Sequence, residues 1–233
     1  MNLRSLLCAI SVLTSVASLE AVPLKVLAWN DEVAARELAI SHSKGTEQLR
    51  DLHPSQRSKV YQVSPREGAP AVLVALDRKD EEGNPATSEI RITKGVEKPL
   101  LILLPDTKAA SGLRLLVLDD DLAGFNWGSI RLVNTTGKPL VFKWDKNLMV
   151  IPAGWKPVQV KPGGADRNMQ VQLFRRDQAD LPLYASVWEH RDTYRNLVFI
   201  VTNDDPRLGA VAFKFLVEDR RVVEAESVPA LAE

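Results

Sequence analysis

The chain has 233 residues, with 30 basic and 30 acidic side chains, so its formal net charge is zero. That balance argues against a nucleic-acid binder, which shows a basic excess, and no Lys/Arg run reads as a membrane-surface patch. A hydrophobic content of 45% suits a globular chain long enough for one large or two small domains.

Residues 1–21 read as a secretion signal. Arg4 supplies the positive end, residues 5–17 are apolar, and small residues follow, with cleavage expected after Ala21. The single cysteine, Cys8, falls inside that segment. The mature chain is therefore expected to have no disulfide, zinc–thiolate site or cysteine nucleophile. No later segment is apolar over the ~18 residues that a membrane-spanning helix needs. The expectation is an exported protein, periplasmic or extracellular.

Residues 24–30 (LKVLAWN) form the first strand candidate, and residues 31–37 suit one helical turn. A strand at 38–41 and a short helix at 46–52, stopped by Pro54, are expected next. Strands follow at 60–63, 71–76, 89–93, 100–104 and 113–118. Residues 77–85 (DRKDEEGNP) read as a charged loop. Residues 128–144 (GSIRLVNTTGKPLVFKW) read as a β-hairpin whose turn is Asn134–Pro139.

From there the pattern starts over. Strands are expected at 129–134, 140–144, 158–161, 169–173, 185–189, 197–201 and 210–217. Gln62 and Gln159, Val72 and Val171, Leu100 and Leu197, and Leu113 and Val211 are each displaced by roughly 100 positions. The expected fold is all-β: two tandem immunoglobulin-like β-sandwich domains arising from an internal duplication, at 22–121 and 125–221. A tail at 222–233 without strand pattern is expected to be disordered. Strands 100–104 and 197–201 are apolar on both faces. That pattern predicts that the two domains pack on each other through them.

No residue set reaches a catalytic signature. Asp119, Asp121 and Gly124 fit loop positions one, three and six of a calcium-binding loop, but Ala123 and Ile130 stand where ligands are required. The run reads instead as a solvated acidic turn. His42, His53 and His190 have no partner at metal spacing. No nucleophile elbow, phosphate loop or dinucleotide fingerprint is present. No cofactor, no metal and no enzyme activity are expected.

Trp29, Trp144 and Trp188 lie in or beside strands and read as core. Trp127 (FNWG) and Trp155 (AGWKP) lie in turn contexts and are the candidate ligand-binding residues, since exposed aromatics stack on sugars or anchor partners. Asn134-Thr135-Thr136 matches a glycosylation sequon and equally suits turn chemistry.

The run 125–163 resembles a pattern in uncharacterised exported bacterial β-sandwich proteins, carried here by Phe125, Gly128, Asn134, Thr136 and Pro162-Gly163. The resemblance implies export and a β-sandwich, and no activity. The layout also resembles that of periplasmic pilus-assembly chaperones in architecture only, without their paired basic cleft residues. The expected function is a non-enzymatic binding or structural module engaging a protein or cell-envelope component. Alternatives are a carbohydrate-binding protein using Trp127 and Trp155, or a chaperone-like protein acting by strand pairing.

Overall fold

The computed structural model describes residues 21–64, 69–203 and 205–227. Cys8 and all but the last residue of the expected signal lie outside them, as do residues 228–233 of the expected tail.

The chain is nearly all β. Its first half holds β1 (Val22–Ala28), β2 (Leu38–His42), β3 (Gly45–Gln48), β4 (Tyr61–Val63), β5 (Val72–Lys79), β6 (Pro85–Glu89), β7 (Pro99–Pro105) and β8 (Leu113–Asp119). Its second half holds β9 (Ile130–Asn134), β10 (Leu140–Trp144), β11 (Asn147–Ile151), β12 (Pro157–Val160), β13 (Arg167–Arg175), β14 (Gln178–His190), β15 (Tyr194–Thr202) and β16 (Val211–Asp219). Two α-helices add to these, α1 (Asp31–Ala34) and α2 (Arg220–Ser227), with a 3-10 turn at Pro206–Leu208.

Four four-stranded sheets result, in the orders β4-β1-β7-β8, β3-β2-β5-β6, β12-β9-β15-β16 and β11-β10-β13-β14. Each half thus contributes two sheets, and the second half repeats the strand order of the first. The repetition extends to direction. β1 runs parallel to β7 and β9 parallel to β15, whereas the other pairs are antiparallel.

This order departs from the immunoglobulin sandwich, whose first two strands share a sheet. Here the chain changes sheets directly after the first strand of each half. In the first half α1 makes the crossing, with Asn30 capping it by accepting a hydrogen bond from the Val33 N–H at 3.0 Å. In the second half Asn134 makes it. Its buried amide donates to the Lys138 carbonyl at 2.8 Å, and its Oδ1 accepts from the Thr136 N–H at 3.0 Å. The stretch 128–144 is therefore an arch between two sheets and not a hairpin. Burial of Asn134 leaves the sequon serving the turn.

Other expectations need correction. Residues 46–52 are not helical: β3 pairs with β2 from Gly45 to Gln48, and the Leu49 N–H continues to the Leu38 carbonyl at 2.8 Å. The strand expected at 89–93 ends at Glu89, and it begins inside the stretch read as a charged loop. Ile90 still points into the core, which explains the alternation seen there. β11 was not expected at all. Residues 222–227 of the expected tail are helical, part of α2, which carries directly on from β16 and is tied back by the Arg220 N–H to the Thr193 carbonyl at 2.9 Å.

Three apolar cores stack through the molecule. One lies between the two sheets of the first half, around Leu24, Tyr61, Leu73 and Leu101. Another lies within the second half, around Phe142, Trp144, Val171 and Trp188. The third joins the halves, sheet against sheet, through Leu27, Leu100, Ile102, Phe125, Val133, Leu197, Phe199 and Leu216. Alternation explains the doubly apolar strands. Leu101 and Leu103 face the first core, while Leu100, Ile102 and Leu104 face the joint. Val198 and Ile200 face the second core, while Leu197, Phe199 and Val201 face the joint. Fully burying one such side chain is worth roughly 1.5–3 kcal/mol. The joint is thus a core in its own right, as the two-faced strands predicted.

Candidate functional site: a charged cleft at the joint

The joint is not apolar throughout. On β1, Leu27 faces the second half, and Lys25 shares its parity. On β15, Arg195 shares the parity of Leu197 and Phe199, and on β16 Glu218 shares that of Leu216. Strand alternation therefore places charged side chains at one end of the joining core. Arg57 reaches the same end from the segment before β4. That segment is anchored by the Ser58 N–H to the Val26 carbonyl at 2.9 Å and by the Val26 N–H to Ser58 Oγ at 2.8 Å. Asp120, just past β8, arrives on the end of the strand. Its N–H donates to the Lys98 carbonyl at 2.9 Å.

These residues form one network. Arg57 grips Asp120 with both forks, Nε to Oδ2 at 2.8 Å and Nη2 to Oδ1 at 3.0 Å. Arg195 donates to Asp120 Oδ2 at 3.2 Å, to the Asp120 carbonyl at 2.8 Å and, through Nε, to Glu218. Arg57 Nε also lies 3.5 Å from Glu218 Oε1. The side chains of Arg57, Asp120, Arg195 and Glu218 are only 4–12% exposed. Buried charges survive only when paired and hydrogen-bonded in this way.

Phe125 forms the floor. It is fully buried, with the Arg131 guanidinium 4.3 Å from its ring centre and that of Arg195 at 5.1 Å. Arg131 donates to the Asp119 carbonyl and to Gln159 Oε1. Burial lowers the Arg131 pKa, and Asp120 and Asp119 oppose that shift. Burial pushes the Asp121 carboxyl up, but hydrogen bonds from Lys98 and from the Ala123 N–H outweigh it and hold the acid below its ordinary range.

Beside the network lies a cavity of about 200 Å³. Lys25, Lys98, Asp120, Arg195 and Glu218 supply its polar lining, and Pro23, Val60, Pro99, Leu122, Trp127 and Val223 its apolar walls. Val223 comes from α2, so the helix closes one side.

The two sequence-predicted ligand residues part company here. Trp127 is half-buried, lines this cavity and stacks 5.5 Å from the Arg195 guanidinium. Trp155 sits at the far end of β9, where its N–H donates to the Asn134 carbonyl at 3.1 Å. Its ring packs in the joining core, 5.4 Å from Trp29 and 6.2 Å from Phe199, under Arg114. Trp144 and Trp188 are core residues of the second half.

Sequence reasoning missed Arg57, Arg195, Glu218 and Lys25. It also read Asp120 as part of a solvated turn, whereas Asp120 is 7% exposed and bridges two arginines. The available signal was a charged residue on the parity of a two-faced strand, as Arg195 is. Among the described residues no three His, Cys, Asp or Glu side chains converge on a metal-sized site, and no helix is long and apolar enough to cross a membrane. No protein-family model matches this chain, and a search of curated proteins finds no match.

Proposed function

We propose that the protein is an exported, non-enzymatic binding or structural module of the cell envelope, working as one rigid two-sandwich unit. The observation that carries this reading is the buried ionic network across the joint. Arg57 and Asp120 of the first half are bonded to Arg195 and Glu218 of the second at low exposure. A welded joint leaves a cleft of fixed shape, which suits recognition better than a moving catalytic cycle. The common strand order of the halves supports descent from one duplicated sandwich. The charge, apolar run and small residues of 1–21 support export.

Fractionation of the source cell tests the reading. The chain is expected outside the cytoplasm, with its N-terminus at Val22, and the purified mature chain is expected to bind washed envelopes saturably. Recovery in the cytosol with Met1 retained, or no envelope retention, overturns it.

Carbohydrate binding is the second reading, favoured by Trp127 on the cavity wall. Glycans should then quench tryptophan fluorescence. Binding left unchanged by Trp127→Ala together with Trp155→Ala removes this reading.

A further inference from the structure

The cavity beside Trp127 has a charge imbalance. Lys25, Arg57 and Arg195 face two carboxylates, Asp120 and Glu218, while Lys98 is engaged by Asp121 at 3.2 Å. One positive charge is left over. Arg57 and Arg195 are each hydrogen-bonded to Asp120, so the excess is assigned to the more exposed Lys25. Among the described residues its ammonium has a single ionic neighbour, Glu218 Oε1 at 3.6 Å, beyond hydrogen-bond distance, and the side chain is 33% exposed. The side chain lines the cavity.

Lys98 stands nearby for a topological reason. β1 and β7 are parallel neighbours with Lys25 opposite Leu100, and Lys98 lies two residues before Leu100, just ahead of β7. Both lysines line the cavity. The same cavity is also lined by the apolar side chains of Trp127, Leu122 and Val60.

We propose that this cavity binds a small monocarboxylate bearing an apolar tail. The carboxylate sits at Lys25 and Lys98, and the tail lies along Trp127 and Leu122. A single negative charge matches the single excess positive charge. A dianion such as a phosphate monoester would face Asp120 and Glu218 with a charge uncompensated. A cation is disfavoured because the Trp127 ring already carries the Arg195 guanidinium at 5.5 Å. At about 30 Å³ per water, the cavity holds the equivalent of roughly six or seven waters, room for a carboxylate with a tail of about five carbons. The inference rests on the binding-module reading and names the ligand class of its cleft.

The test is an NMR titration of the full mature chain, read at the indole N–H signals of its five tryptophans. Trp127→Phe assigns the reporter. Hexanoate is expected to shift the Trp127 signal saturably, leaving those of Trp144 and Trp188 in place. 1-Hexanol and hexyl phosphate are expected to bind at least tenfold more weakly. Lys25→Met, with an unchanged thermal midpoint, is expected to weaken hexanoate tenfold and leave hexanol unaffected. Equal binding of hexanoate and hexanol, tighter binding of hexyl phosphate, or no saturable shift at Trp127 overturns the proposal. The comparison of ligands on the unsubstituted chain decides the matter even if Lys25→Met does not fold. Envelope retention that persists when hexanoate fails sinks this inference and leaves the broader reading standing.

Discussion

Asp120 and Glu218 occupy the same place in the two halves of the chain. Each stands two residues beyond a leucine, Leu118 or Leu216, that lies opposite the central joining leucine of its half, Leu100 or Leu197. Lys25 and Arg131 correspond likewise, opposite Leu100 and Leu197 on the parallel neighbour. Lys25 of one half meets Glu218 of the other, and Arg131 of the other lies near Asp120 of the first. The joint is therefore self-complementary, built as a two-fold dimer interface is built.

Loss of the central carboxylate should be costly. Asp120→Ala leaves Arg57 and Arg195 buried without their shared partner, and removing one partner of a buried ion pair costs about 3–5 kcal/mol. Urea unfolding should show a loss of that size with an unchanged slope. A loss under about 1 kcal/mol would mean that water or Glu218 compensates.

The self-complementary face also predicts what each half does alone. A chain of residues 125–227 exposes Leu197, Phe199 and Leu216. It should dimerise through that face, and sedimentation should show the dimer, whereas the full chain unfolds in one calorimetric transition. A monomeric half, or two separate transitions in the full chain, would contradict the common core.

His190 should make stability depend on acidity. It is 2% exposed, and its Nε2 has no hydrogen-bond partner among the described residues. Burial and then Arg167 lower its pKa, with Asp166, Asp192 and Asp145 opposing. The unfolded chain thus takes up the proton first, so stability is full above the ordinary value of about 6.5 and falls as the pH drops below it, by at most about 1.4 kcal/mol per unit. His190→Phe should flatten that part of the profile in chemical denaturation between neutral and mildly acid pH.

Lys214 is a charged residue on the joining face. It lies opposite Phe199, as Leu116 lies opposite Ile102 in the first half, and its ammonium is 5.6 Å from the Trp29 ring. Burial lowers its pKa. The cost of the charge is therefore present at neutral pH and is relieved as the pH rises towards the ordinary lysine value. Lys214→Leu trades a cation–π contact of about 0.5–1 kcal/mol for apolar burial worth roughly 1.5–3 kcal/mol. The variant should be more stable by about 1 kcal/mol at pH 7, with the gap narrowing as the pH rises towards the ordinary lysine value.

What the sequence disclosed depended on range. The two-faced strands around Leu101 and Val198 announced the joint, because period-two alternation is a local property. The arch at Asn134 was not legible. A hairpin and an arch share the same alternation, and the difference lies in an amide that reaches the Ile151 carbonyl at 3.4 Å. Asp120 passed for a solvated acid because its partners lie 63 and 75 positions away, at Arg57 and Arg195. Trp127, in a turn context, lines the cavity, while Trp155, in a similar context, folds inward with a positive φ of 68°. Turn chemistry alone does not say which side of a loop faces water.

The joining face also sets an order of events in synthesis. Leu27, Leu100 and Ile102 are made early, but Leu216 and Glu218, which help cover that end of the joint, belong to β16 near the end of the described chain. At about 5–20 residues per second, the roughly 100 intervening residues leave the first sandwich with an uncovered apolar sheet for some 5–20 s. During that interval the first half has the one surface on which a second nascent copy would fit as well as its own partner. Correct assembly of each molecule is therefore a race between tethered closure, favoured by the high effective concentration of a short connection, and encounters between neighbouring chains.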